Sequence, residues 1–200
     1  MDINQSLLEL SFEQLAHAMY IKGEQEGYSK ITDKTKWREC VTAEKLGHIA
    51  HKKISAGAGK EEYGSDAYDS VNEVYAEYKS QAIEVKKVRN LLREVKNAKS
   101  GAKFAPLVVK GVYNGAYTYE AIDAYEKCDH YFSVFYKEKC VLIIKVDTSE
   151  VVRQLRTTLS KRLAKANIAT TNCNQVHISL GDTNKYEVAY KDFSIFGGDK

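Results

Sequence analysis

The chain has 200 residues, of which 44% are hydrophobic and 28% charged, with a single proline. This is an ordinary soluble globular balance and enough material for one domain with a proper core. Its net charge of +3, from 30 basic and 27 acidic residues, does not by itself point to a polyanion partner. No run approaches the roughly 20 apolar residues needed to cross a bilayer. The opening Met1-Asp2-Ile3-Asn4-Gln5 lacks the basic and apolar stretches of an export signal. Cys40, Cys128, Cys140 and Cys173 are scattered without CxxC spacing, which argues against a disulfide framework or a zinc knuckle. No membrane partner and a reducing, cytoplasmic location are therefore expected.

The N-terminal quarter reads as helical. Ser11 and Gln14 have capping-box spacing, and Phe12, Leu15, Ala16 and Met19 follow at helical intervals. A second helix is expected from Asp33 or Thr35, carrying Trp37, Val41 and Leu46 to Gly47. The glycine-rich stretch Ser55-Ala56-Gly57-Ala58-Gly59-Lys60 resembles a phosphate loop but fails its pattern. Ile54 stands where a glycine is needed, and Glu61 where Ser or Thr is needed. His48 and His51 lie near Cys40, but no further ligand pair completes a tetrahedral zinc set.

The middle of the chain changes period. Residues 73–82 alternate, with Val74, Ala76 and Tyr78 on one face and Tyr75, Glu77 and Lys79 on the other, which predicts a strand with one buried side. Residues 84–99 return to helical period, with Val88, Leu91, Leu92 and Val95 as an apolar stripe and basic residues opposite. Residues 101–118, with Pro106 and the Asn114-Gly115 pair, read as irregular. A short helix is expected over Tyr119–Cys128, then inner strands at Tyr131–Tyr136 and Cys140–Val146. An amphipathic helix follows, capped near Asp147 and reaching about Ala166. Two tail strands, Gln175–Leu180 and Tyr186–Tyr190, read as a hairpin joined through Gly181-Asp182-Thr183-Asn184. The order implies an α/β fold with a central mixed β-sheet flanked by helices. It divides into a helical region over residues 1–54, a core over 60–165 and a C-terminal hairpin region over 167–200.

One constellation carries chemistry. Glu77 and Lys79 are two apart on a strand and so share a face, while Asp66 arrives beside them if residues 65–70 turn back into that strand. Two carboxylates, with the backbone carbonyl of Tyr78, make a hard-oxygen set suited to Mg²⁺. An ammonium beside them can stabilise charge developing at a phosphate. The triplets Glu84-Val85-Lys86 and Glu94-Val95-Lys96 have the same spacing, but on a helix residues two apart diverge. Base reading, if there is any, would come from the segment with Lys103, Lys110 and Asn114, or from its rival, the tail with Asn172, Asn174, Gln175 and His177. Lys86, Arg89, Arg93 and Lys96 suit phosphates.

The pattern Gly64-x-Asp66-Ala67-x-Asp69 leading into Tyr75-x-Glu77-x-Lys79-Ser80, with Tyr125 and the run His130 to Lys137, resembles the PD-(D/E)xK restriction endonucleases, most closely the PvuII type. The resemblance covers about residues 60–160. It implies a restriction-endonuclease-like fold and Mg²⁺-dependent type II cleavage of double-stranded DNA by a homodimer. In its terms Asp66 and Glu77 are metal ligands, Lys79 is catalytic, and Tyr125 lies near the reacting phosphate. The helical region over residues 1–54 would then be the natural dimer interface. The chain departs from that type in two ways. The stretch between Asp66 and Glu77 is one residue longer, and the histidine-rich base-reading segment is absent. A repair or structure-selective nuclease, or a non-catalytic DNA-binding module, are the alternative expectations.

Overall fold

The computed structural model describes residues 34–51, 65–83, 108–114, 118–136, 139–166, 175–181 and 185–193, with short stretches at 9, 18–19, 21–23 and 25–27. Helix α1 (Lys34–Leu46) ends at Gly47, whose φ of 72° is the left-handed turn a helix stop favours. Then come β1 (Ile49–Ala50), β2 (Ala67–Asp69), β3 (Val74–Ala82) and β4 (Val109–Asn114). A short helix α2 (Tyr119–Asp123), capped by the Thr118 hydroxyl, tightens into a 3₁₀ turn over Ala124–Lys127. Strands β5 (Cys128–Tyr136) and β6 (Lys139–Val146) lead to helix α3 (Thr148–Ala166), and β7 (Gln175–Leu180) and β8 (Glu187–Lys191) close the order.

The fold is mixed α/β around a six-stranded mixed sheet in the order β1-β2-β3-β5-β6-β8. Among the described residues only β3 and β5 pair in parallel, and the crossover between them contains β4 and α2. Each face of the sheet has its own core. On one, Ala43 of α1 packs with Ala76, Tyr78, Tyr131, Phe135 and Ile143. On the other, Val151, Leu155 and Leu159 of α3 pack with Phe132, Val134, Leu142 and Ile144. Burying each such Leu or Ile contributes about 1.5–3 kcal/mol before entropy is subtracted.

Three expectations are corrected. Strand β3 is covered on both faces rather than one: Ala76, Glu77 and Tyr78 are consecutive and all buried. Residues 109–114, expected to be irregular, form strand β4. The tail strands do not form a hairpin: β7 pairs antiparallel with β4 in a separate two-stranded ribbon, while β8 pairs with β6 at the edge of the main sheet. Turn chemistry at residues 181–184 suggested local pairing. Long-range burial of Val176, Ile178 and Leu180 beside Val109 and Tyr113 prevails instead. The expected helix over 84–99 lies outside the described residues.

The ribbon lies over the sheet face that carries Glu77 and Lys79. The Gln81 side chain ties it down, accepting from the Lys110 N–H at 3.1 Å and donating to the Val108 carbonyl at 3.3 Å. Gly111 permits the approach. A Cβ there would stand 2.6 Å from Phe132 Cε1 and 3.1 Å from Lys79 Cγ.

Candidate active site

Asp66 sits at the mouth of β2, where its N–H donates to the Ala76 carbonyl (3.0 Å) and its own carbonyl accepts from His51 N–H (2.9 Å). Its side chain turns toward β3, and Oδ2 accepts the backbone N–H of Tyr78 at 2.8 Å. The N–H and C=O of one strand residue leave the strand on the same side. The Tyr78 carbonyl therefore points to the same edge as the Asp66 carboxylate.

Glu77 and Lys79 project from the opposite face to the Tyr78 ring. The Lys79 amine donates to Glu77 Oε1 in a close ion pair, with side-chain exposures of 14% and 6%. Glu77 Oε2 is buried and has no hydrogen-bond partner among the described residues. Leaving a buried acceptor unmet costs about 1–3 kcal/mol, and more when it is charged. Burial pushes the Glu77 carboxyl well above the usual range; Lys79 opposes this, and the charges of Asp66 and Glu39 add to it. Burial would lower the Lys79 amine, but Glu77 and Asp66 outweigh it, and the amine is held above its ordinary value as a cation. Glu39 reaches this field from α1, where it is buried and accepts from Lys36 at 3.0 Å.

The donor set fits a hard divalent cation. It comprises a partnerless carboxylate oxygen, a second carboxylate near enough to raise its pKa, and a carbonyl aimed at the same edge. It uses only two acidic side chains; among the described residues no cluster of three or more His, Cys, Asp or Glu could hold a metal.

Tyr125, on the 3₁₀ turn, lies beside this centre. Burial pushes its hydroxyl up to about 12, Glu77 adds to the shift, and its ring meets Tyr113 edge-on at 5.0 Å. Sequence reasoning passed over Tyr113 because it lies in the segment read as irregular. Fully buried on β4, Tyr113 places its ring 4.7 Å from the Lys79 amine and its hydroxyl 3.1 Å from His130 Nδ1. His130 stands opposite Glu77 in register and is fully buried.

On the far face of β3, His48 Nδ1 lies 2.7 Å from the Tyr78 hydroxyl and its Nε2 3.4 Å from Asp69 Oδ2. Asp69 also accepts from the Val71 and Asn72 N–H groups, closing the turn between β2 and β3. His51 instead meets the Ser65 carbonyl at 3.0 Å, so the two histidines serve different neighbours.

Of the residues expected to contact DNA, Lys110 is exposed on β4. Asn114 ends that strand opposite Gln175. Lys110 and Asn114 of one segment set as a rival for base reading thus share a ribbon with Gln175 and His177 of the other, while Asn172 and Asn174 lie outside the described residues. Lys86, Arg89, Arg93, Lys96 and Lys103 lie outside the described residues. No helix among the described residues is long and apolar enough to cross a membrane. No protein-family model matches the chain, and no curated protein matches it in sequence.

Proposed function

We propose that this protein is a Mg²⁺-dependent endonuclease that hydrolyses double-stranded DNA at a short site, a type II restriction enzyme of the restriction-endonuclease-like fold acting as a homodimer. The observation that carries the reading is Glu77 Oε2, buried and without a hydrogen-bond partner among the described residues, on a carboxyl that pairs with Lys79 through Oε1 and feels the Asp66 charge. A carboxyl buried in that state must take up a proton or meet a cation, and the Lys79 amine donates to Oε1 alone.

Asp66, Glu77 and the Tyr78 carbonyl would hold Mg²⁺. The bound ion supplies Lewis-acid polarisation of a phosphodiester and a lowered pKa for a coordinated water. The Glu77 and Asp66 charges favour the Lys79 amine as a cation. That cation stabilises the negative charge that builds on the phosphoryl oxygens during in-line attack. Tyr125, its hydroxyl neutral, can donate to a non-bridging oxygen. The outward face of the ribbon, with Lys110 and Val112 on β4 and His177 and Ser179 on β7, is all exposed. A two-stranded ribbon is one of the two elements a major groove admits, and those side chains supply donors and an apolar contact. The homodimer follows from the two-fold symmetry of palindromic sites, with residues 1–54 as the interface.

Plasmid digestion with Mg²⁺, with and without EDTA and with the ends mapped, tests the proposal. Discrete fragments that EDTA abolishes support a site-specific enzyme. Cleavage confined to branched or damaged duplexes would move the function to repair, and intact DNA under Mg²⁺ and Mn²⁺ alike would end the proposal. The Glu77→Ala variant should bind DNA and not cut it.

A further inference from the structure

The Lys79 amine pairs with Glu77 on one side. On its other side the Tyr113 ring centroid lies 4.7 Å from the amine. That ring is held from two directions. Its edge meets Tyr125 at 89°, and its hydroxyl meets His130 Nδ1 at 3.1 Å. His130 Nε2 lies 2.9 Å from the Tyr125 carbonyl. A carbonyl only accepts, so Nε2 carries the proton, Nδ1 is bare, and the Tyr113 hydroxyl is the donor. The imidazole is neutral in this arrangement, since burial pulls its pKa down to about 4, and no second cation competes with Lys79 for the ring. The backbone enforces the same geometry, because Gly111 lets β4 rest on the Lys79 stem.

Resting on the nuclease reading, we infer that Tyr113 is a positioning residue for Lys79. Its ring face, anchored by His130, holds the amine against the Glu77 side of the site. A long lysine stem has several rotamers and loses freedom when it is fixed. An aromatic face attracts an ammonium, more strongly when desolvated, so the ring supplies a restraint against that loss. Glu77 alone would hold the amine only until a metal draws on the carboxylate. The ring does not compete for that ligand, so the restraint persists when the cation binds.

Two measurements test this separately. In the metal-free protein, NMR of the Lys79 ε-methylene should show an upfield ring-current shift that is smaller but present in Tyr113→Phe, which keeps the ring and loses its His130 anchor. The shift should vanish in Tyr113→Leu and shrink in His130→Gln. Under single-turnover conditions with Mg²⁺, Tyr113→Leu should cut roughly 10- to 100-fold more slowly, the size expected for a misplaced catalytic group. Its DNA affinity, measured with Ca²⁺ in place of Mg²⁺, should be unchanged, and Tyr113→Phe should recover most of the rate. An ε-methylene shift that survives Tyr113→Leu, or Phe and Leu variants equally slow, overturns the assignment. If Tyr113→Leu does not fold, His130→Gln carries the same comparison. A wild type that cuts no duplex refutes the nuclease reading, and the NMR shift then decides on its own whether the ring holds the amine.

Discussion

The Asp66 carboxylate accepts the N–H of Tyr78, the residue that separates Glu77 from Lys79, at 2.8 Å. One acid is thereby referenced to the backbone that carries the other acid and the amine. Asp66→Asn retains an acceptor for that N–H and loses the charge. Cleavage should fall by at least about 100-fold while the thermal midpoint moves by no more than a few degrees. Side-by-side thermal melts and single-turnover assays check this; a large drop in midpoint with activity preserved would contradict it.

With Mg²⁺ held at Glu77 as proposed, the cation is a stabilising ligand. A cation that binds only the folded state at about 100 times its dissociation constant adds about 2.7 kcal/mol. Millimolar Mg²⁺ should therefore raise the unfolding midpoint of the wild type, and Glu77→Ala should lose that response. Equal Mg²⁺ responses in the two proteins would place the cation elsewhere.

Removing Lys79 leaves Glu77 buried without its counter-charge. Breaking one side of a buried pair costs roughly 3–5 kcal/mol. Lys79→Met, which keeps most of the stem, should show a loss of this order in metal-free urea unfolding, with part of it returned by Mg²⁺. A variant as stable as the wild type at pH 8 would mean that the pair is not buried in solution.

His130 gives the protein an acid sensitivity whose sign is fixed. The folded imidazole titrates near 4, against 6.5 for the free side chain, because burial disfavours its cation. Below pH 6.5 the unfolded chain takes up a proton that the folded one refuses. Its contribution is complete above that value and is lost as the pH falls toward 4, by about 3 kcal/mol. Burial lowers the His48 pKa too, although Asp69 opposes it, so His48 adds a slope of the same sign. Stability between pH 7 and 4 should fall less steeply in His130→Gln than in the wild type, as equilibrium unfolding at stepped pH will show.

Gly111→Ala should damage both stability and cutting, since its methyl would meet Phe132 and the Lys79 stem. Overpacking of this kind costs about 1–3 kcal/mol. The rate should drop further than the stability loss explains, with DNA binding retained. If alanine at this position is tolerated with full activity, β4 does not rest on the lysine.

Much of the architecture could be read from periodicity. Strands β5 and β6 are runs too apolar for any exposed role, and α3 carries Val151, Val152, Leu155 and Leu159 on one stripe. The triad was visible because Glu77 and Lys79 alternate on a strand with Asp66 just upstream. The second half of the site was not. Tyr113 lies in a strand with a glycine at its centre and an Asn-Gly pair at its end, both of which read as loop. Its sheet partner is separated from it by β5, β6 and α3. The hairpin expectation failed for the same reason: local turn chemistry at 181–184 says nothing of which distant strand completes the burial of Val176 and Ile178. Alternation in β3 predicted which residues share a face, but not that both faces would be covered.

The pairing of Val109 with Leu180 has a consequence in time. A ribosome that has finished β4 must still make β5, β6, α3 and most of β7 before that strand finds its neighbour. Until then only the Gln81 side chain, bonded to Lys110 and Val108, and packing on β3 and β5 hold that strand toward Lys79. Tyr113 gains its complete setting beside the amine only after β7 has been made.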